Sequence, residues 1–129
     1  MKLVRWDTKE IIFEAECDSW SELIEGALKE GVSLRGANLK NANLENADLR
    51  GANLTNAKLR VANLTNADLR DADLGDADFE NADLESADLR GADLRDADLR
   101  GANLTNVDLR DAYLLNADLS NVSFSGVDF

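Results

Sequence analysis

Carboxylates are the chemistry-bearing groups of this chain: twenty-six Asp and Glu stand against fourteen Lys and Arg, with no His and a single cysteine, Cys17. Acid pairs can do general acid–base work, and clusters of carboxylate oxygens can hold a hard cation such as Ca²⁺. Both roles need a few acids set apart from the rest. Here eleven of the Asp occupy one and the same place in a repeating unit, so paired carboxylates occur everywhere and single out no site. No serine or threonine has a recognisable base partner, and Cys17 has no His to activate it. Stacked acids do not converge on one point, so neither a metal nor a cofactor is predicted and the chain reads as non-catalytic.

The unit that positions these acids is five residues long. Leu or Phe recurs every fifth residue from Leu34 to Phe129, twenty times without an insertion. Two residues before each comes Ala sixteen times and Val four times, and just before it Asp eleven times and Asn five times. Two residues after it, Gly, Asn or Asp fills seventeen of nineteen places. A period of five fits neither a helix at 3.6 nor a strand at 2, so the segment is a repeat architecture. The small and the large apolar residue are two apart and point to one side of a short extended stretch. The Gly, Asn or Asp supplies a corner, because these residues tolerate left-handed backbone angles. A corner every five residues coils the chain, and stacked coils pair their backbones around an Ala and Leu core.

Stretches such as Ala47-Asp48-Leu49-Arg50-Gly51 and Ala92-Asp93-Leu94-Arg95-Asp96 give residues 32–129 a resemblance to the pentapeptide-repeat family. The resemblance implies an all-β solenoid, a right-handed quadrilateral β-helix with one pentapeptide on each of four faces. Twenty units then make about five coils and a rod roughly 24 Å long. It also implies two functional readings. The first is a structural or protein-interaction module with an acidic surface and a protein partner. The alternative is a DNA mimic acting on a DNA-binding protein such as DNA gyrase, as some members similar in repeat pattern do. Charge ranks them. Residues 32–129 carry ten basic and eighteen acidic groups, a net of −8, about half the density of duplex DNA at one charge per roughly 1.7 Å.

Residues 1–31 form a separate module, and the repeat after them leaves no room for a second domain. Lys2–Trp6 and Glu10–Glu14 are β-prone runs joined by a polar turn, a predicted hairpin. A helix follows, with Ser19 and Glu22 at capping-box spacing, one apolar stripe of Trp20, Leu23, Ile24, Ala27 and Leu28, and Gly31 as the stop. Its expected role is to cap the first coil. The net charge of −12 predicts a soluble chain that avoids nucleic acid and anionic membranes, and no apolar run is long enough for a signal peptide or membrane helix. A cytoplasmic location is expected.

With four units per coil, residues twenty apart stack. Arg50, Arg70, Arg90 and Arg110 then form one column beside Asp48, Asp68, Asp88 and Asp108, which reads as an ion-pair ladder with an anion-docking strip as the alternative. Eleven acids between Asp71 and Asp98 face only Arg90 and Arg95 within that segment. Asp73, Asp76, Asp78, Asp93, Asp96 and Asp98 are expected to crowd one face and its corner, as the candidate partner-binding patch. In the last coil, Tyr113 and Leu115 take outward positions and the inward residues enlarge to Phe124 and Phe129. These four are the expected contact of a homodimer joined through the C-terminal coil.

Overall fold

A coil built from five-residue sides needs a tight corner after every unit, and the computed structural model, which describes Met1–Phe129, shows how each is made. The C=O of each central residue from Leu34 to Phe124 accepts the N–H of the Ala or Val three residues on, as from Ala67 to Leu64 at 2.9 Å. The third residue of this turn takes a positive φ at all nineteen corners, from 55° at Asp76 to 70° at Gly126, which explains the Gly, Asn and Asp found there. Val61 and Ser86 obey the same geometry at 58° and 59°. For a β-branched side chain that conformation is strained, and Val61 is also exposed. At some corners glycine also leaves room for the side chain of the coil before it. A Cβ on Gly91 would lie 2.5 Å from Asp71 Oδ1, because the Asp71 side chain folds over the next coil.

Parallel bridges join residues twenty apart, from Asn38–Lys58 to Asp108–Asp128, so four units complete one turn. Within the unit Ala67–Asp71, every N–H has one designated acceptor. Ala67 donates to Leu64 O in the turn, Asp68 back to Ala47 O at 3.0 Å, Leu69 forward to Asp88 O at 2.8 Å, and Asp71 forward to Arg90 O at 3.0 Å. The remaining N–H, that of Arg70, goes to the side chain of Asp68 at 3.3 Å. Asp or Asn before a central residue plays this part in unit after unit, as Asn43 does for Glu45, Asp83 for Glu85 and Asp118 for Ser120. The recurring acid is therefore a backbone acceptor first, a role the sequence reading did not assign to it.

The Ala and Leu columns meet inside. Every central residue from Leu34 to Leu109 is buried, Phe79 included, and no polar side chain is buried with them. Two strands, β1 (Lys2–Val4) and β2 (Ile11–Glu14), pair antiparallel as the expected hairpin, in shorter form and with an irregularity between Leu3 and Val4. Helix α1 (Trp20–Lys29) begins at Ser19, whose Oγ accepts the Glu22 N–H at 3.1 Å. The reciprocal bond of a capping box is shifted by one residue, because Glu22 Oε2 takes the Asp18 N–H rather than that of Ser19. Gly31 follows the helix with φ 72°. Leu3, Leu23, Ile24 and Ala27 join the solenoid core, and Asn38 donates to Val4 O at 2.8 Å, so hairpin and helix lie over the first coil.

Three variants test the register by thermal or urea unfolding. Leu84→Asp buries a charge and should lower stability by about 3 kcal/mol or more. Glu85→Ala alters an exposed side chain and should stay within about 0.5 kcal/mol. Val61→Asn relieves the left-handed strain and should raise stability by about 1 kcal/mol. Equal melting temperatures for the first two would refute the assignment of inward and outward positions.

Candidate functional site

The outward side chains sort onto four faces, each named here by one central residue: Leu74, Phe79, Leu84 and Leu89. On the Leu89 face the expected ladder is present and alternates. Arg50 pairs with Asp48 at 2.6 Å and reaches Asp68 at 3.7 Å. Arg70 pairs with Asp68 at 2.5 Å and reaches Asp88 at 3.6 Å, and Arg90 repeats the pattern on Asp88 and Asp108 at 2.6 and 3.6 Å. Arg110 closes the column on Asp108 at 2.5 Å. The guanidiniums of Arg50, Arg70 and Arg90 thus lie between carboxylates of two coils, which offsets the repulsion within either column. Hydrogen bonds from Arg50 and Arg110 pull Asp48 and Asp108 down to about 2, against a smaller opposing effect of burial. Asp68 and Asp88 are lowered in the same way by Arg70 and Arg90, whose own pKa values are raised.

The six acids of the expected patch spread over two faces and the corner between them. Asp73 and Asp93 sit on the Leu74 face, Asp76 and Asp96 on the corner, and Asp78 and Asp98 on the Phe79 face. Three of them are ion-paired: Asp93 with Arg95, Asp98 with Arg100 at 2.6 Å, and Asp78 with Lys58 at 3.5 Å. The cations Lys58, Arg60 and Arg100 lie outside the acidic segment in sequence and enter it because residues twenty apart are neighbours. Arg90, counted as opposing these acids, belongs to the Leu89 face. Asp73, Asp76 and Asp96 remain exposed and without an ion pair, Asp96 accepting a hydrogen bond from Asn116 Nδ2 at 3.0 Å.

Asp78, Glu80 and Asp98 bring oxygens within 4.8 Å of one another, a spacing that could hold a metal ion. The chain's own cations already hold these oxygens. Arg60 lies 2.7 Å and Arg100 3.3 Å from Glu80, beside the Lys58 and Arg100 pairs to the other two acids. The Leu84 face was not distinguished in the sequence and differs in another way: it carries Glu45, Asp83, Glu85, Thr65 and Thr105 and no Lys or Arg. Sorting every column at a spacing of twenty would have shown both features.

The four expected dimer residues do not share one surface. Phe124 and Phe129 are central residues left open at the C-terminal end, with ring centroids 6.2 Å apart and planes tilted by 39°. Tyr113 and Leu115 lie on the lateral Leu74 face, 61% and 69% exposed, directly below Asp93 and Arg95.

Fold and surface together define a quadrilateral β-solenoid with ion-paired faces. The sequence pattern described as pentapeptide repeats matches it in eight copies over residues 30–61, 62–101 and 92–129, so the chain belongs to the pentapeptide-repeat family, whose members form right-handed quadrilateral β-helices. Among solved structures it is similar to HetL, a pentapeptide repeat protein involved in heterocyst differentiation regulation in the cyanobacterium Nostoc. The identity is 35% and the TM-score 0.60, over 74% of this chain and 52% of HetL. It is also similar to a pentapeptide repeat protein of the Arabidopsis thaliana thylakoid lumen, at 35% identity and TM-score 0.69, over 71% of this chain and 64% of that one. The chain thus spans about half of the first and under two thirds of the second. QnrB1, a plasmid-mediated fluoroquinolone resistance protein, shares the fold at 23% identity and TM-score 0.58, over 66% of this chain and 46% of its own. Comparison with curated proteins gives no match. No helix is long and apolar enough to cross a membrane.

The lowered carboxylates determine how stability should change with pH. Their folded pKa lies below the unfolded value of about 3.9, so their contribution is complete above that value and is lost as pH falls through the folded pKa. Urea midpoints should therefore hold level from pH 7 to about 4 and fall between about 4 and 2. With no His in the chain, a loss between pH 7 and 5 would show that another group controls stability.

Proposed function

We propose that this chain is a non-catalytic protein-interaction module: a five-coil rod over residues 32–129, capped by the hairpin and helix of residues 1–31. The observation that carries this reading is the division of labour among the charges. Acids before the central residues serve the backbone, and the ladders of the Leu89 and Phe79 faces neutralise themselves. Asp76 and Asp96 on one corner, and Asp73 on the Leu74 face beside it, are left exposed and without an ion pair. Exposed ion pairs contribute little, about 0–1 kcal/mol each, so the ladders serve as register and surface neutralisation more than as stabilisers. Net negative charge at one corner suits a partner with a basic surface and steers its approach.

Mimicry of DNA toward gyrase is the narrower version of this reading, and the alternating Arg columns count against it because they interrupt the negative surface on the Leu89 face. Changing Asp73, Asp76, Asp93 and Asp96 to Asn tests both versions. Asn already serves the same backbone role at Asn38, Asn43, Asn53, Asn63 and Asn103, so the coil should persist while the charge is removed. In a supercoiling assay at micromolar concentration, inhibition or protection of gyrase by the wild type and its loss in the quadruple variant would support mimicry. A wild type without effect on gyrase removes mimicry and leaves the general module.

Assembly is the second part of the proposal. A protein of these residues has the half-buried Leu114, Leu119, Val122 and Val127 and the exposed Phe124 and Phe129 at one end of its core. A second copy placed end to end about a twofold axis covers both ends at once. The narrow cross-section keeps the contact below the roughly 1,200 Å² of a standard interface, so the dimer should dissociate on dilution. Light scattering should give a dimer for the wild type at high concentration and a monomer for Phe129→Asp. A wild type that stays monomeric, or a variant that stays dimeric, places the contact elsewhere.

A further inference from the structure

Two units break the repeat at the outward position before the central residue, where all others carry Asn, Asp or Ser. They are the units of Leu59 and Leu114, with Lys58 and Tyr113 in that place. Lysine has no oxygen to offer the N–H two residues on, and the tyrosine hydroxyl lies at the far end of a ring, so both units give up the side-chain bond made elsewhere. The first break has a visible reason. Lys58 Nζ sits 4.7 Å from the centre of the Trp6 ring, and Trp6 donates from Nε1 to Asn56 O at 2.9 Å. There the coil exchanges its own hydrogen bond for contact with a segment outside the coil, the N-terminal hairpin.

The second break has no such segment against it. Tyr113 is 61% exposed and Leu115, beside it on the same face, is 69% exposed. We propose that Tyr113 and Leu115 are the anchor of a lateral docking surface for a basic polypeptide segment that carries an apolar side chain between lysines or arginines.

The occupant follows from the charges around the pair. Directly above the pair, Asp93 and Arg95 neutralise each other as an ion pair. Beyond them Asp96 and Asp76 lie one and two coils above on the adjoining corner, Asp73 two coils above Tyr113, and Asp111 at the corner just before it in sequence, all exposed and without an ion pair, which leaves the surroundings net negative. An apolar side chain on the Tyr113–Leu115 pair would be flanked by these acids, and cations on either side of it would meet them. A second copy fits this face poorly. Two Leu74 faces brought together would oppose the same acids, whereas the Phe124–Phe129 end has Asp128 as its nearest acid in sequence.

This assignment rests on the interaction-module reading and is tested so that the two can fail separately. The probes are two fluorescently labelled synthetic peptides of equal positive charge, one alternating lysine with leucine and the other lysine with serine. At low salt, fluorescence anisotropy should show the wild type binding the leucine peptide about tenfold tighter. The double variant Tyr113→Asn with Leu115→Ser leaves every charge in place and supplies the missing backbone acceptor, so its melting temperature should not fall. It should bind both peptides alike, at the affinity of the serine peptide. Equal binding of the two peptides by the wild type, or a preference retained by the variant, overturns the docking surface and leaves the acidic module standing. Binding of neither peptide overturns both. A wild-type dimer that Tyr113→Asn with Leu115→Ser converts to monomer would put a second copy on this face and also overturn the assignment.

Discussion

The constraint on which the structure depends is that each five-residue unit has five backbone N–H groups and only four backbone acceptors placed to receive them. Three donors pair between coils and one closes the turn, as in Ala67–Asp71. The fifth, two residues after the Asp or Asn, points along the corner where no carbonyl reaches, and the side chain of that Asp or Asn fills the gap. An unpaired polar group shielded from water costs about 1–3 kcal/mol, and the coil repeats the problem at every corner. The small apolar residue, the Leu and the left-handed corner all serve the same closure. Alanine lets the turn pass close to the core, Leu fills it, and Asn, Asp or Gly accepts the positive φ.

This constraint also limits what the surface can do. A carboxylate that accepts a backbone N–H and an Arg fork is held ionised, and burial is too slight to reverse it. Such a group is a poor proton donor or acceptor near neutral pH, which sets the Asp columns apart from catalytic acid pairs. Ion pairing then depends on the outward residues of the same unit and of the neighbouring coils, so each face carries its own pattern of charge on an invariant coil. The Leu89 face is a ladder, the Phe79 face a mixed cluster, the Leu84 face free of cations, and the Leu74 face balanced between two Asp and two Arg, with an apolar end and acidic corners beside it. Function in a protein of this kind lies in those differences.

Much of this was legible in the sequence because strict periodicity makes local and global signals agree. The buried columns, the corners, Phe79, the Ser19 cap, Gly31 and the Arg50–Arg110 ladder all follow from a period of five and a stacking of twenty. Other features were hidden for physical reasons. Asp before Leu reads as a surface charge until the stranded N–H is noticed, since the bond is local and leaves no mark in hydropathy. The sum over residues 71–98 overstated the acidity because Lys58 and Arg100 lie outside that segment yet beside it in space. Tyr113 and Leu115 were grouped with Phe124 and Phe129 by nearness in sequence, although one pair points sideways and the other pair is at the coil end.

Amide hydrogen exchange, resolved residue by residue, tests the central claim most directly. If the Asp and Asn side chains complete the backbone bonding, the amides of Arg50, Arg70, Arg90 and Thr105 should be protected. Those of Arg60 and Leu115, which follow Lys58 and Tyr113, should exchange close to the rate of an open chain. Exchange of Arg50, Arg70 and Arg90 as fast as that of Arg60 and Leu115 would contradict the account, for it would mean that the recurring acids do not hold the corners together.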